Sequence, residues 1–212
     1  MKLIDTQDAD NIKNIFEKLK ESVNLVLFNQ PENLQQNEIQ SFLEDVASLS
    51  NKINLSIYTA DEDAEYTKKL NIDKFPAIAV LDKVNKDTGI RFYGMPIGQQ
   101  IHPFIKSILE TSGFKDPIPK QIEKKIKNVK KSIRIEVFVE LKCKYSPLAV
   151  MAAQRLALEN TNIMADMVDC RKFSSLAKSK NIRGTPTIII NNKVELTGAQ
   201  NFVQLLAAIN KV

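Results

Sequence analysis

The sequence predicts an α/β protein built from two successive copies of one unit, each a central mixed β-sheet flanked by helices. Two observations carry this. The hydrophobic period switches repeatedly between short apolar runs, as in buried strands, and three- to four-residue spacing, as in amphipathic helices. The chain also matches itself at an offset of 110 residues. Leu25-Val26-Leu27-Phe28 aligns with Ile135-Glu136-Val137-Phe138, residues 53–58 with 163–168, Asn71-Ile72 with Asn181-Ile182, Pro76 with Pro186, and residues 77–81 with 187–191. Three strand-like segments and a proline keep register without a gap, which marks a duplication.

Taken in order, the first unit reads as a helix over 9–19, a strand over 23–28, an amphipathic helix over 36–49 and a strand over 53–58. A short helix then leads to Phe75-Pro76 and a strand over 77–81, a fourth strand runs over 90–94 and ends at a glycine, and a helix over 98–109 closes the unit. The second unit repeats the scheme: helix 118–131, strand 133–141, helix 147–160, strand 163–168, Thr185-Pro186 before strand 187–190, strand 194–198 and helix 202–209. Alternation of this kind places helices on both faces of each sheet. Gly113, Pro117 and Pro119 cluster where no regular element would run through, so the boundary falls between residues 1–117 and 118–212. Each half, about 100 residues, is long enough for its own core.

Composition narrows the chemistry. Of 212 residues, 43% are hydrophobic and 26% charged, which is ordinary globular usage and excludes disorder. Two cysteines and one histidine, His102, are too few for a four-ligand zinc site, for Cys/His catalysis with an orienting third group, or for a disulfide-dense scaffold. His102 has no catalytic partner in the pattern and reads as a surface or capping residue. Net charge is a mild +5. The densest basic run, with Lys124, Lys125, Lys127, Lys130 and Lys131, is interleaved with Ile122, Ile126 and Val129 at helical spacing. It reads as a solvated helix face rather than a nucleic-acid site, for no aromatic side chain lies in it to stack bases. Met1 to Thr6 runs into polar sequence with no apolar h-region, and no apolar run nears the roughly 18 residues that span a bilayer. A cytoplasmic protein with reduced thiols is expected, without membrane or nucleic-acid partners. No Walker, dinucleotide-binding or Gly-x-Ser-x-Gly pattern is present.

The chemistry then concentrates on Cys143. It follows a strand and precedes a helix whose first turn holds Pro147, a favoured place for proline. A thiol there meets unpaired backbone N–H groups, which favour the thiolate. Lys142 and Lys144 flank it and add positive charge, a setting in which thiol pKa values fall. Pro186 lies 43 residues on, at the entrance to a strand, where a proline is compatible with a cis bond.

With these residues the second half resembles the thioredoxin/glutaredoxin superfamily: a CxxC-type motif at a strand–helix junction, an X-Pro about forty residues later and Gly198-Ala199 after the last strand. The duplication narrows the resemblance to the tandem thioredoxin-fold protein disulfide oxidoreductases, also called glutaredoxin-like, of archaea and some bacteria. Cys143-Lys144-Tyr145-Ser146-Pro147-Leu148-Ala149-Val150 is similar to that family's C-terminal active site, and Glu159-Asn160-Thr161, Asp166-Met167-Val168 and Gly89-Ile90-Arg91 look like family segments. The resemblance implies thiol–disulfide exchange through Cys143. Lys142, Lys144, Tyr145 and Ser146 would form its motif and stabilise the thiolate, and Thr185 and Pro186 would present a backbone edge to the substrate. The partners implied are protein disulfides or glutathione mixed disulfides. Glutathione would be a co-substrate, with no resident cofactor and no metal.

Two departures stand out. Ser146 replaces the second cysteine of the motif, so the ordinary intramolecular dithiol cycle is closed. In the first half the corresponding slot, Asn33-Leu34-Gln35-Gln36, has no thiol. Ser146 is open to three readings: a natural monothiol site, a decayed and non-catalytic protein that binds peptides or a partner, or an engineered Cys-to-Ser form of an active enzyme. Cys170, after Asp169 on the same sheet edge as Cys143, is either a small packed residue or the resolving thiol in place of Ser146. Phe75-Pro76 persists as structure or as a peptide-binding edge, and Tyr145 either lines the substrate groove or is simply exposed. Glu136 and Glu140 alternate with apolar residues and are candidate proton acceptors, although a solvent-facing strand edge explains Glu140 equally well. The iron–sulfur motif CGFS has a glycine where Lys144 stands, which disfavours cluster binding.

Overall fold

The computed structural model describes residues 6–29 and 34–212. The chain divides into two compact units, Met1–Asp87 with Ile108–Lys115, and Thr88–Ser107 with Asp116–Val212.

The first unit contains α1 (Thr6–Phe16), β1 (Val23–Asn29), α2 (Leu34–Ser48), β2 (Ile53–Thr59), α3 (Ala64–Lys69) and β3 (Ala77–Leu81). Its strands are ordered β2-β1-β3. β1 pairs in parallel with β2 from Val23↔Ile53 to Asn29↔Thr59, and antiparallel with β3 from Asn24↔Leu81 to Phe28↔Ala77. Leu25, Leu27 and Phe28 on β1 and all five residues of β3 are buried, as expected of a central sheet covered on both faces.

The second unit takes in β4 (Asp87–Tyr93) after its first residue, a 3₁₀ turn at Gly98–Gln100 and the first part of α4 (Ile101–Thr111). It continues with α5 (Lys120–Lys127), β5 (Ile133–Val139), α6 (Ser146–Glu159), β6 (Ile163–Asp169), α7 (Ser174–Ser179), β7 (Thr187–Ile190), β8 (Val194–Thr197) and α8 (Phe202–Ile209). The strand order is β4-β6-β5-β7-β8. β5 and β6 pair in parallel from Ile133↔Ile163 to Val139↔Asp169, and β5 pairs antiparallel with β7 from Ile135↔Ile190 to Phe138↔Thr187. Each of these pairs is the first-unit register moved by 110 residues. β4 belongs by sequence to the first repeat, yet it lies in the second unit because it pairs in parallel with β6, from Ile90↔Ala165 to Tyr93↔Val168.

Local signals set the element ends. Pro119 is the N-cap of α5, which therefore starts at Lys120 rather than 118. Asn160 ties off the other end of α5, its side-chain amide donating to the Ile126 and Val129 carbonyls at 2.6 and 2.9 Å. Ile126 is buried while Lys124, Lys125, Lys127, Lys130 and Lys131 are exposed, the solvated face read from the sequence. β5 stops at Val139, two residues short of the expected strand, because the Cys143 amide donates to the Glu140 carbonyl at 2.9 Å and turns the chain. α8 carries a full capping box from Asn201 and Gln204. No helix among the described residues is long and apolar enough to cross a membrane.

Candidate functional site

The carboxyl ends of β5 and β6 and the start of β7 converge on Cys143. Phe138 and Val139, both fully buried, anchor the end of β5; each such side chain contributes about 2 kcal/mol of burial. Beyond them the chain turns through residues 140–145 and enters α6 at Ser146, with Tyr145 as N-cap and Pro147 in the first turn. The Cys143 thiol lies 3.3 Å from the Thr185 carbonyl oxygen, to which it donates when protonated. The Thr185–Pro186 peptide bond is cis, as is Phe75–Pro76. The Gly198 amide donates to the Pro186 carbonyl at 2.8 Å, and the Thr187 hydroxyl donates to the Gly184 carbonyl at 2.7 Å.

Partial burial opposes ionisation of Cys143. It is outweighed by the polar Ser146 and Thr185 side chains and by the Tyr145 and Ser146 backbone amides, so the thiol is held below its ordinary pKa. The Ser146 hydroxyl is fully buried beside the thiol and has no hydrogen-bond partner of ordinary geometry among the described residues. Lys142 and Lys144 flank the thiol in sequence. Neither is among the causes of the shift; both are exposed, and the Lys144 ammonium lies 5.6 Å from the centre of the Tyr145 ring. Short-range polar contacts act on the sulfur directly, whereas solvent screens exposed charges.

Cys170 sits at the end of β6, its amide donating to the Val139 carbonyl at 2.9 Å, so it is on the same sheet edge. Its own chemistry is opposite. Burial, then the charges of Asp169 and Glu140, push its thiol up to about 12. Asp169 is itself shifted upward, chiefly by burial, with its side chain accepting from the Arg171 amide at 2.9 Å. Both thiols are free.

A thioredoxin-domain family model matches residues 133–210. Over 97% of its length the chain superposes on a structure of AhpF, an alkyl hydroperoxide reductase component, from Enterococcus faecalis, with a TM-score of 0.93, 30% identity and 98% of that chain covered. The chain belongs to the tandem thioredoxin-fold family. A protein disulfide oxidoreductase from Aeropyrum pernix shares the fold at a TM-score of 0.89 and 17% identity, over 97% of this chain and 92% of that one. Among curated proteins, the alkyl hydroperoxide reductase component of the same name from Pseudomonas aeruginosa is 23% identical over 98% of this chain. The chain spans only about a third of the length of the curated relatives it matches, 31% and 37% in two of them.

Within this thioredoxin fold, Cys143, Ser146, Thr185 and Pro186 come together. Tyr145 is 62% exposed beside them. Glu136 is buried on β5 while Glu140 and His102 are exposed. The first-half slot at Asn33 to Gln36 lies outside the described residues except for the backbone of α2 from Leu34. One supporting contact escaped the sequence reading. The Gln99 amide donates to the Leu141 carbonyl at 2.8 Å, and a Cβ on Gly98, which has φ +59°, would stand 2.7 Å from that oxygen. Only a glycine lets this turn brace the segment leading to Cys143. The available signal was a glycine just ahead of a helix, which by itself names no partner.

Proposed function

We propose that this chain is a monothiol disulfide-exchange protein with Cys143 as its single nucleophile. The observation that carries the reading is a thiol made more acidic by polar groups at the start of α6, against the cis Thr185–Pro186 edge. The names of the relatives, a protein disulfide oxidoreductase and a component of a hydroperoxide reductase, support the same class of chemistry.

The Cys143 thiolate attacks one sulfur of a partner disulfide, breaking that S–S bond and forming a mixed disulfide. The other sulfur leaves as a thiolate and takes a proton from solvent. Ser146 holds a hydroxyl where a dithiol site holds its second thiol, so a small thiol from solution, glutathione in a reducing cytoplasm, attacks the mixed disulfide and restores the Cys143 thiolate. One disulfide is consumed and one is formed in each step, so electrons balance. Thr185 and Pro186 orient the partner sulfur. Cys170 is assigned no part in release, because a thiol pushed up to about 12 is almost wholly protonated near neutrality.

The test is intact-mass analysis of the reduced protein after exposure to a glutathionylated peptide. One adduct, mapped to Cys143, is expected, with none in Cys143→Ala. Absence of an adduct on the unmodified chain would overturn exchange and leave peptide binding without catalysis. The thiol-free first unit, which keeps the cis Phe75–Pro76 edge, favours that alternative.

A further inference from the structure

Lys142 and Lys144 stand exposed on either side of the thiol, so their charges face solvent where a partner would approach. They are not isolated. The Cys143–Thr185 contact brings the 140–145 loop against the 183–186 loop, which carries exposed Arg183. The Cys170–Val139 hydrogen bond brings the loop after β6 to the same edge, with exposed Arg171. Against these four cations the edge sets Glu140, which is exposed, and Asp169, which is only 6% exposed and turned to the Arg171 amide. The solvent-facing rim of the thiol is therefore predominantly positive.

Apolar surface adjoins it. Tyr145 is 62% and Leu148 49% exposed in the first turn of α6. Gly184 and Gly198, on the segments beside the cis-proline, border open space, since a Cβ built on either meets nothing within 4 Å. Cations drawn from three loops beside an exposed aromatic and an exposed leucine suit a polypeptide better than a small thiol.

Building on the exchange reading, we infer that the preferred substrate is a protein segment whose disulfide-bonded cysteine is flanked by carboxylates, recruited by Lys142, Lys144, Arg171 and Arg183. Such complementarity acts mainly on the encounter rate and fades with salt.

The experiment uses the full reduced chain and three cysteine peptides, identical except for Glu, Gln or Lys on either side of the cysteine, each in a mixed disulfide with uncharged 2-mercaptoethanol. The second-order rate of attack is measured by stopped flow at about 0.01 M and about 1 M salt, where the screening length falls from about 30 Å to about 3 Å. The expected order is Glu, then Gln, then Lys, spanning about tenfold at low salt and converging at high salt. In the Lys142→Glu/Lys144→Glu double variant, shown folded by circular dichroism, the Glu-to-Lys ratio should invert. Because the salt comparison needs no variant, it stands alone if the double variant misfolds. Equal rates for the three peptides, alongside normal attack on hydroxyethyl disulfide, would overturn the recruitment proposal and leave exchange intact. No attack on hydroxyethyl disulfide would overturn exchange itself. Faster attack on glutathione disulfide than on the Glu peptide would assign the rim to the small thiol and overturn the polypeptide substrate.

Discussion

The edge of the first unit where β1 and β2 end, and the edge of the second where β5 and β6 end, are built alike and filled differently. Strand register is the same after a shift of 110 residues, and each edge has a cis X-Pro bond at the start of its third strand. Asn71 and Asn181 take positive φ at matching positions, 52° and 56°. Ala60 and Cys170 donate to matching carbonyls, Asn29 and Val139, at 2.8 and 2.9 Å. Yet the first edge packs Phe28, Tyr58 and Tyr66 into a cluster with ring centres 4.9 to 5.7 Å apart, where the second has Phe138, Val168 and Leu176. The backbone frame is thus independent of the chemistry it displays. What sets the second edge apart is one thiol whose pKa is lowered by the polar groups around its sulfur.

The contrast can be broken most directly at that sulfur. Cys143→Ala is expected to drop exchange with hydroxyethyl disulfide to the uncatalysed background, while Cys170→Ala stays within about twofold, since its thiol is not ionised at working pH. Equal losses in both variants would erase the distinction between them. Mild oxidation should give no Cys143–Cys170 cross-linked peptide by mass spectrometry.

The support beneath the thiol is next in size. Gly98→Ala forces a Cβ to 2.7 Å from the Leu141 carbonyl oxygen and should cost about 2 kcal/mol in urea unfolding. Gly113→Ala in the first unit also has positive φ, but its nearest neighbour is a flexible lysine carbon at 3.9 Å, so the smaller loss there isolates the steric part.

Ser146→Ala removes the buried hydroxyl that helps lower the Cys143 pKa. Alkylation of Cys143 by iodoacetamide near pH 7 should slow about fivefold, the worth of roughly 1 kcal/mol. Lys144→Gln should change that rate far less, because the lysine is exposed and is not among the groups that lower the thiol pKa.

The smallest effect is at Asp169. Its pKa is raised on folding, so the native state binds its proton more tightly than the unfolded chain does. The stability this provides is complete below the unfolded carboxyl value and is lost as pH rises through the folded one. Asp169→Asn should therefore gain unfolding midpoint relative to the parent as pH rises above the unfolded carboxyl value of about 4. It should also make Cys170 more acidic, since Asp169 charge helps hold that thiol up.

Much of this was legible in the sequence. The duplication, the β3 and β7 ranges and the place of Cys143 before α6 follow from hydrophobic runs and from Pro147, which are local signals. The pairing of β4 with β6 was not, because it joins residues some 75 apart through backbone groups that every residue carries. The burial of Ser146 beside the thiol was not legible either. Lys142 and Lys144 stand beside the thiol in sequence and are exposed in the fold, while the Ser146 hydroxyl is buried near the sulfur. Asp169 next to Cys170 was plain to see; that burial would make it oppose ionisation of the thiol was a matter of tertiary packing.

The central claim is that two thiols on one sheet edge differ in acidity because of their immediate polar neighbours and burial. It is tested by the pH dependence of iodoacetamide alkylation, of Cys143 in Cys170→Ala and of Cys170 in Cys143→Ala. The expected result is a Cys143 titration below the ordinary thiol value of about 8.5 and no ionisation of Cys170 until about pH 12. A Cys143 titration at or above the ordinary thiol value, or two curves that coincide, would contradict it.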